Sequence, residues 1–271
     1  MNRETLISNI RFKESFLCVG LDSDIDKLPV PFTKDLEGLV SFNAAIIEAT
    51  KDYCVSYKVN TAFYERYGSG GWEALEKTRA LLPSSHYLIA DAKRADIGNT
   101  THQYARAFFE QMDFDAVTVA PYMGRDSVEP FLNYPGKWTI LLAVTSNIGS
   151  EDFQLLTDSE GIPLYARVAR KAVSWADPDR LMFVCGATRP EQLEVMRKTA
   201  PDHFFLVPGV GAQGGSLEEV CKNCMTDDVG ILVNSSRSII YASSDADFQS
   251  AAENKAEQLQ KEMAHILSKG L

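Results

Sequence analysis

Short apolar and β-branched segments recur along the whole chain, and each is followed by a segment with helical periodicity. Eight segments predict strands, at residues 16–22, 55–60, 87–94, 116–121, 139–146, 181–187, 204–211 and 230–237. Predicted helices lie at residues 35–53, 72–82, 99–111, 161–177, 190–199 and 246–268. Strict alternation of strands and helices is typical of a parallel sheet, and eight repeats fit a closed (β/α)8 TIM barrel of roughly 250 residues. We therefore predict an α/β protein in which residues 1–271 form a single-domain barrel.

A doubly wound open sheet is the alternative architecture for alternating strands and helices. Such sheets often carry a glycine-rich fingerprint directly after the first strand. In this chain Gly20 stands alone, followed by Leu21 and Asp22. The pattern therefore favours the barrel.

Composition and charge exclude several classes of protein. The net charge of −10 argues against a protein that coats nucleic acid or binds an anionic membrane surface. The first residues lack the apolar segment of a signal peptide, and no apolar run approaches the ~20 residues of a membrane span. Five cysteines without disulfide-scaffold spacing fit a reducing compartment, and we interpret Cys221 and Cys224 as bystander thiols. We expect a cytoplasmic protein with neither nucleic acid nor membrane as a partner.

Charged residues end two neighbouring predicted strands. Lys58 lies near the end of the second strand, Asp91 and Lys93 end the third, and Asp96 follows three residues later. Active sites of barrels lie at the C-terminal ends of the strands, and side chains two residues apart on a strand share a face. Solvated surface charges are the alternative interpretation. We expect instead a buried cluster in which lysines and aspartates neutralise each other, which proteins often retain for function.

The segment 208–215, PGVGAQGG, predicts an anion site. Its small residues can present several backbone amides to an anion, and Ser216 then begins a predicted helix with a capping pattern. Arg237 follows the eighth predicted strand, and its planar guanidinium suits a phosphate. Strands seven and eight of barrels often hold a phosphate, so we predict a phosphate site there.

The motif D-x-K-x-x-D, present as Asp91, Lys93 and Asp96, resembles the signature of orotidine 5′-monophosphate decarboxylases. Further segments follow in the order of that family, namely VGLD (19–22), YKVNTAFYE (57–65), APYMG (120–124), TSN (145–147), PGVGAQGG (208–215) and NSSRSIIYAS (234–243). The last two segments are similar to the longer bacterial subfamily. The chain departs from that pattern at Ala120 and Ile148, and neither departure leaves a catalytic position empty.

The resemblance implies decarboxylation of orotidine 5′-monophosphate to uridine 5′-monophosphate, the last step of de novo pyrimidine synthesis, without a cofactor or a metal. It assigns protonation of a C6 carbanion to Lys93, a place beside the departing carboxylate to Asp91, and alignment of the charged network to Lys58. It also implies a homodimer with shared active sites, in which Asp96, Ile97 and Thr100 reach the partner's site.

The resemblance implies a set of residues that bind the nucleotide. Asp22 would bind the ribose, Ser146 the base, and Gln213 both the phosphate and the pyrimidine. The remaining implied substrate-binding residues are Gly211, Gly214, Ser236 and Arg237.

Two alternatives remain open at this point. A magnesium-dependent sugar-phosphate decarboxylase or aldolase of the same superfamily would carry a glutamate on strand two, where this chain has Lys58. A non-catalytic nucleotide-binding barrel would have little reason to keep a costly cluster of lysines and aspartates.

Overall fold

Eight strands close into a barrel in sequence order in the part of the chain that the structure describes, residues 1–210 and 215–270 of a computed structural model. The strands are β1 Leu17–Leu21, β2 Ser56–Asn60, β3 Tyr87–Arg94, β4 Ala116–Val119, β5 Trp138–Val144, β6 Leu181–Cys185, β7 Phe205–Pro208 and β8 Ile231–Ser235. The pairs β1–β2, β2–β3, β4–β5, β5–β6 and β6–β7 are parallel. The predicted (β/α)8 fold is confirmed.

Helices separate the strands. They are α1 Arg3–Lys13, α2 Leu36–Thr50, α3 Ala62–Glu65, α4 Gly68–Leu81, α5 Gly98–Arg106, α6 Arg125–Leu132, α7 Leu164–Val173, α8 Pro190–Thr199, α9 Leu217–Cys224, α10 Arg237–Ile240 and α11 Phe248–Ser268. Helix α1 was not predicted. It buries only Leu6 and Ile10, so its sequence carries a weak amphipathic pattern.

The chain divides into two compact units. The first unit comprises residues 5–92 and 234–270. Its helix α2 begins where Asp35 Oδ1 accepts a hydrogen bond from the Gly38 amide at 2.8 Å, which satisfies one of the free amides of the first turn. Helix α2 packs against α4 and α11. Its Phe42 contacts the rings of Phe32, Tyr241 and Phe248. These aromatic contacts hold α2 against the segments that follow β1 and β8.

The second unit comprises residues 1–4 and 93–233. Strands β4 to β7 form its sheet, and their side chains are largely buried. The guanidinium of Arg197 lies 3.9 Å from the ring centroid of Phe205. It donates hydrogen bonds to the backbone carbonyls of Cys224, Ala200, Pro201, His203 and Gly230. Arg197 thereby ties the segments that precede β7 and β8 to the ends of α8 and α9.

Candidate active site

Lys58 is the third of the five residues of β2, and its ammonium group is buried against two carboxylates. Lys58 Nζ is 2.9 Å from Asp91 Oδ2 and 3.4 Å from Asp22 Oδ1. The parallel register explains the meeting, because Gly20 pairs with Lys58 and Asn60 pairs with Asp91 on neighbouring strands. The structure therefore brings together three of the residues that the sequence singled out.

The charge of Lys58 is fixed by these neighbours. Burial by itself lowers the pKa of Lys58, but the carboxylates of Asp91 and Asp22 outweigh burial and raise the pKa above its ordinary value of 10.5. Lys58 therefore stays protonated at neutral pH. A permanent positive charge lies between the carboxylates of Asp22, directly after β1, and Asp91, the fifth residue of β3.

Lys93 differs from Lys58 in both backbone and exposure. Its φ is 47°, in the left-handed region that residues with a Cβ rarely adopt, and its amide donates to Thr118 Oγ1 at 2.9 Å. Asp91 is buried, whereas Lys93 is exposed. The expectation that both lysines are buried is therefore wrong for Lys93. The argument from strand alternation does not apply at this residue, since a left-handed residue interrupts the regular pleat.

The backbone of Lys93 is costly in free energy. Conformations of this kind cost about 1–3 kcal/mol and persist only where surrounding contacts impose them. They also concentrate at functional sites. The conformation of Lys93 is an independent reason to regard the end of β3 as functional.

Asp96, Ile97 and Thr100 lie between the end of β3 and the first turns of α5. Asp96 is half-buried, and its Oδ1 accepts a hydrogen bond from the Ile97 amide at 2.8 Å. Ile97 is 53% exposed and Thr100 is also exposed. An apolar side chain and a hydroxyl are therefore presented on the surface of this segment.

Ser146 follows the end of β5 and is half-buried. Gly186, directly after β6, approaches it so closely that a Cβ on Gly186 would lie 2.9 Å from the Ser146 amide nitrogen. A side chain at residue 186 would displace Ser146. The sequence analysis did not identify Gly186, because its importance depends on an approach between two strands.

The glycine-rich segment lies after β7. Gly209 has a φ of 100°, which favours glycine, and Ser216 Oγ accepts a hydrogen bond from the Glu219 amide at 3.4 Å. The predicted capped start of α9 is confirmed. Gly211, Gln213 and Gly214 lie outside the described residues.

Strand β8 ends at Ser235, and Arg237 is the first residue of α10. The predicted extension of this strand to residue 237 is therefore wrong, and the guanidinium is exposed at the start of a short helix. Ser236 Oγ accepts a hydrogen bond from Asn234 Nδ2 at 3.2 Å. A Cβ on Gly20 would lie 1.9 Å from Ser236 Oγ, so β1 can approach Ser236 only with glycine at this position.

Within residues 1–210 and 215–270, the structure contains no group of three or more histidine, cysteine, aspartate or glutamate residues placed to hold a metal ion. The five cysteines are free and buried. Burial raises the pKa of Cys221 and of Cys224 to about 12, so both thiols stay protonated at neutral pH. Across the same described residues, no helix is both long enough and apolar enough to cross a membrane.

Comparison with known proteins gives one consistent result. The model of the Orotidine 5'-phosphate decarboxylase / HUMPS family matches residues 15–252. The orotidine 5'-phosphate decarboxylase of Bacteroides fragilis strain YCH46 is 53% identical over 270 residues, which cover 98% of each chain. That of Christiangramia forsetii is 54% identical over 272 residues, which cover 99% of this chain and 100% of the relative.

A solved structure gives the same result in three dimensions. The structure of Leishmania donovani OMP decarboxylase has a TM-score of 0.84 and 36% sequence identity to this chain, with coverage of 98% and 99% of the two chains. The resemblance found in the sequence motifs is confirmed over nearly the whole length. The chain belongs to the Orotidine 5'-phosphate decarboxylase / HUMPS family.

Proposed function

We propose that this chain converts orotidine 5′-monophosphate to uridine 5′-monophosphate without a cofactor. The decarboxylation is supported by its similarity to two relatives named orotidine 5'-phosphate decarboxylase. The observation that carries the proposal is the buried contact of Lys58 on β2 with Asp91 on β3 and with Asp22 directly after β1. A cluster of this kind is costly to desolvate, and perturbed ionisable groups concentrate at functional sites.

The reaction breaks the bond between C6 of the pyrimidine and its carboxylate. Carbon dioxide leaves, the electron pair of the bond stays on C6, and a proton must then be supplied to C6. We assign that proton to the ammonium group of Lys93. Asp91 lies beside the departing carboxylate, and Lys58 keeps Asp91 and Asp22 in register through its two ion pairs.

Electrostatic stabilisation of the carbanion is the larger part of the mechanism we propose. Enzymes lower barriers by up to roughly 23 kcal/mol, which is more than one ion pair supplies. A charge held in place before the reaction needs no reorganisation when the carbanion forms. The raised pKa of Lys58 keeps its positive charge present throughout this step.

The residues that we assign to nucleotide binding come after strands β1, β5, β7 and β8 in the sequence. We assign the ribose to Asp22, the base to Ser146, and the phosphate to Arg237, Ser236 and the amides of Gly211 and Gly214, with Gln213 contacting both phosphate and base. Arg237 supports this assignment because its guanidinium is exposed at the start of α10 and therefore accessible to an anion.

In the proposed function, residues 1–271 of each subunit form one domain. Two such subunits form a homodimer, and the dimer completes the proposed active site. Asp96, Ile97 and Thr100 would each serve the active site of the partner subunit. The exposure of Ile97 at 53% supports an interface at this segment, because an exposed apolar side chain gains free energy when a partner covers it.

The first experiment follows the loss of orotidine 5′-monophosphate absorbance with purified protein, with and without EDTA. We expect equal turnover in both conditions, because the proposed reaction uses no metal ion. A requirement for a divalent cation would favour a metal-dependent sugar-phosphate decarboxylase or aldolase. Binding of orotidine 5′-monophosphate without turnover would favour a non-catalytic nucleotide-binding barrel.

The assignment of Lys93 is tested by Lys93→Ala. Turnover should be abolished while binding of uridine 5′-monophosphate remains detectable, because the proton donor is lost but the phosphate contacts persist. Retention of about a tenth of wild-type kcat, a change of only 1.4 kcal/mol, would contradict the assignment. Arg237→Ala should instead raise KM with a smaller effect on kcat.

The shared site is tested by mixing inactive subunits. Each proposed site takes Lys93 from one subunit and Asp96 from the other. A heterodimer of one Lys93→Ala subunit and one Asp96→Ala subunit therefore has one intact site. Random mixing should then restore about a quarter of wild-type activity. No recovery after subunit exchange, in a mixture shown to be dimeric by analytical ultracentrifugation, would contradict the shared site.

A further inference from the structure

A buried network of hydrogen bonds begins one residue after Asp22, within the first unit. Ser23 Oγ donates to Asn43 Oδ1 at 2.6 Å. Asn43 Nδ2 in turn donates to Tyr64 Oη at 2.8 Å and to Thr78 Oγ1 at 3.2 Å. All four side chains, here called the Asn43 network, are fully buried.

The members of the Asn43 network come from four separate elements. Ser23 follows β1, Asn43 lies on α2, Tyr64 on α3 and Thr78 on α4. Helix α3 begins two residues after the end of β2, so the network joins the segments that follow β1 and β2. Asp22 directly follows β1, and Lys58 is the middle residue of β2.

Stability alone does not explain this arrangement. Apolar side chains of the same volume can stabilise a core as well as buried hydrogen bonds do. Hydrogen bonds differ from apolar contacts because they fix direction as well as distance. The network therefore specifies the orientation of the segments it joins.

A second bond fixes the same segment from its other side. The Asp24 amide donates to Tyr241 Oη at 2.7 Å. The ring of Tyr241 stacks on Phe42, with 5.8 Å between centroids, next to Asn43 on α2. Residues 22–24 are thus held at two points, and Asp22 lies 3.4 Å from Lys58 at the start of this anchored segment.

We propose that the Asn43 network positions Asp22 against Lys58, so that the Asp22 carboxylate is presented to the ribose hydroxyls of the nucleotide. Ser23, Asn43 and Tyr64 are positioning residues that touch no substrate atom and act through Asp22. This inference rests on the proposed function, because it takes the ribose of a nucleotide as the ligand of Asp22.

The test compares affinity for uridine 5′-monophosphate with affinity for its 2′-deoxy and 3′-deoxy analogues, measured by isothermal titration calorimetry. The wild-type protein should prefer the ribonucleotide, and Asp22→Ala should remove that preference. Ser23→Ala and Tyr64→Phe should each reduce the preference by about tenfold through weaker ribonucleotide binding, with affinity for the less favoured analogue changed less than about twofold.

The chain offers a matched control for each variant. Ser15 is a fully buried serine two residues before β1, and its hydroxyl donates to the Tyr53 carbonyl at 2.7 Å. Tyr57 is a fully buried tyrosine whose hydroxyl lies 2.8 Å from Thr50 Oγ1 and donates to the Ile47 carbonyl at 3.1 Å. Ser15→Ala and Tyr57→Phe should lower Tm about as much as Ser23→Ala and Tyr64→Phe, with the ribose preference unchanged.

Three outcomes would overturn the inference. In the first, the network variants weaken all three ligands equally or behave like their controls, which means that the network only stabilises the fold. In the second, Asp22→Ala keeps the ribose preference while the wild-type enzyme turns over, which removes the ribose contact but leaves the proposed function intact. In the third, the wild-type protein neither binds uridine 5′-monophosphate nor turns over, which overturns the proposed function together with the inference. If Ser23→Ala does not fold, Tyr64→Phe carries the same test, because it keeps the ring.

Discussion

Two lysines of the first unit lie in opposite chemical surroundings. Lys58, the middle residue of β2, contacts the carboxylates of Asp91 and Asp22. Lys13, at the end of α1, donates to the backbone carbonyls of Lys51 and Cys54 and lies 3.0 Å from His86 Nε2. Carboxylates raise the pKa of Lys58, whereas burial lowers the pKa of Lys13.

The difference shows that the groups around a buried lysine determine whether it stabilises the fold or forms part of a charged site. Backbone carbonyls satisfy the protons of Lys13 without neutralising its charge, so this lysine ties the end of α1 to the segment before β2. Two carboxylates hold Lys58 as part of a charged cluster that adds little to stability after desolvation. We therefore expect loss of Lys58 to reduce both catalysis and stability, because removal of one partner of a buried ion pair is destabilising, and loss of Lys13 to affect folding alone.

The largest expected effect comes from Lys58→Met. It removes the ammonium group that contacts Asp91 and Asp22, so kcat/KM should fall by at least about 10⁴-fold, equivalent to about 5 kcal/mol. Loss of orotidine 5′-monophosphate absorbance measures the rate, and circular dichroism shows whether the variant is folded. A folded variant that keeps more than about a hundredth of wild-type kcat/KM would contradict a catalytic role for the cluster.

The next effect concerns pH and His86. Burial and the charge of Lys13 lower the pKa of His86 from 6.5 to about 4, so the folded protein takes up this proton only near pH 4. The unfolded chain binds the proton near pH 6.5, and the free energy of unfolding should fall by about 3 kcal/mol as the pH falls from 6.5 to 4. Urea denaturation at several pH values measures this slope.

His86→Gln should remove this share of the slope. The exposed His265 on α11 gives the control, since His265→Gln should leave the wild-type slope unchanged. A slope that persists in full after His86→Gln would show that burial and Lys13 do not lower the pKa of His86.

Lys13→Met should lower the free energy of unfolding by about 2 kcal/mol, because the carbonyls of Lys51 and Cys54 lose the hydrogen bonds that Lys13 donates. Its kcat/KM should stay within about twofold of the wild-type value, since the side-chain contacts of Lys13 in the described part of the chain are with Lys51, Cys54 and His86. Urea denaturation and the absorbance assay measure the two quantities. A large loss of activity in a folded Lys13→Met variant would break the distinction between the two lysines.

The smallest expected effect is that of Lys51→Ala. The Lys51 side chain forms an ion pair with Glu48 at 2.7 Å, whereas its backbone carbonyl accepts the hydrogen bond from Lys13. The substitution removes the ion pair and keeps the carbonyl, so stability should change by less than about 0.5 kcal/mol. A larger loss would show that the Lys51 side chain, and not only its backbone carbonyl, supports the contacts of Lys13.

Sequence by itself determined the order of strands and helices and the placement of Lys58 and Asp91. Each strand carries its own apolar and β-branched run, and each long helix carries its own period, so these signals are local. Lys58 and Asp91 could be predicted to meet because the C-terminal ends of neighbouring parallel strands lie at the same edge.

Only the tertiary structure decided the contacts that join distant residues. Ser23 and Asn43 are 20 residues apart, and Lys13 and His86 are 73 apart, so no local pattern signals either contact. The left-handed backbone of Lys93 is likewise imposed by surrounding contacts, since a lysine has no intrinsic preference for it. The local pattern thus placed the charged residues on the barrel, and long-range packing set their exposure and orientation.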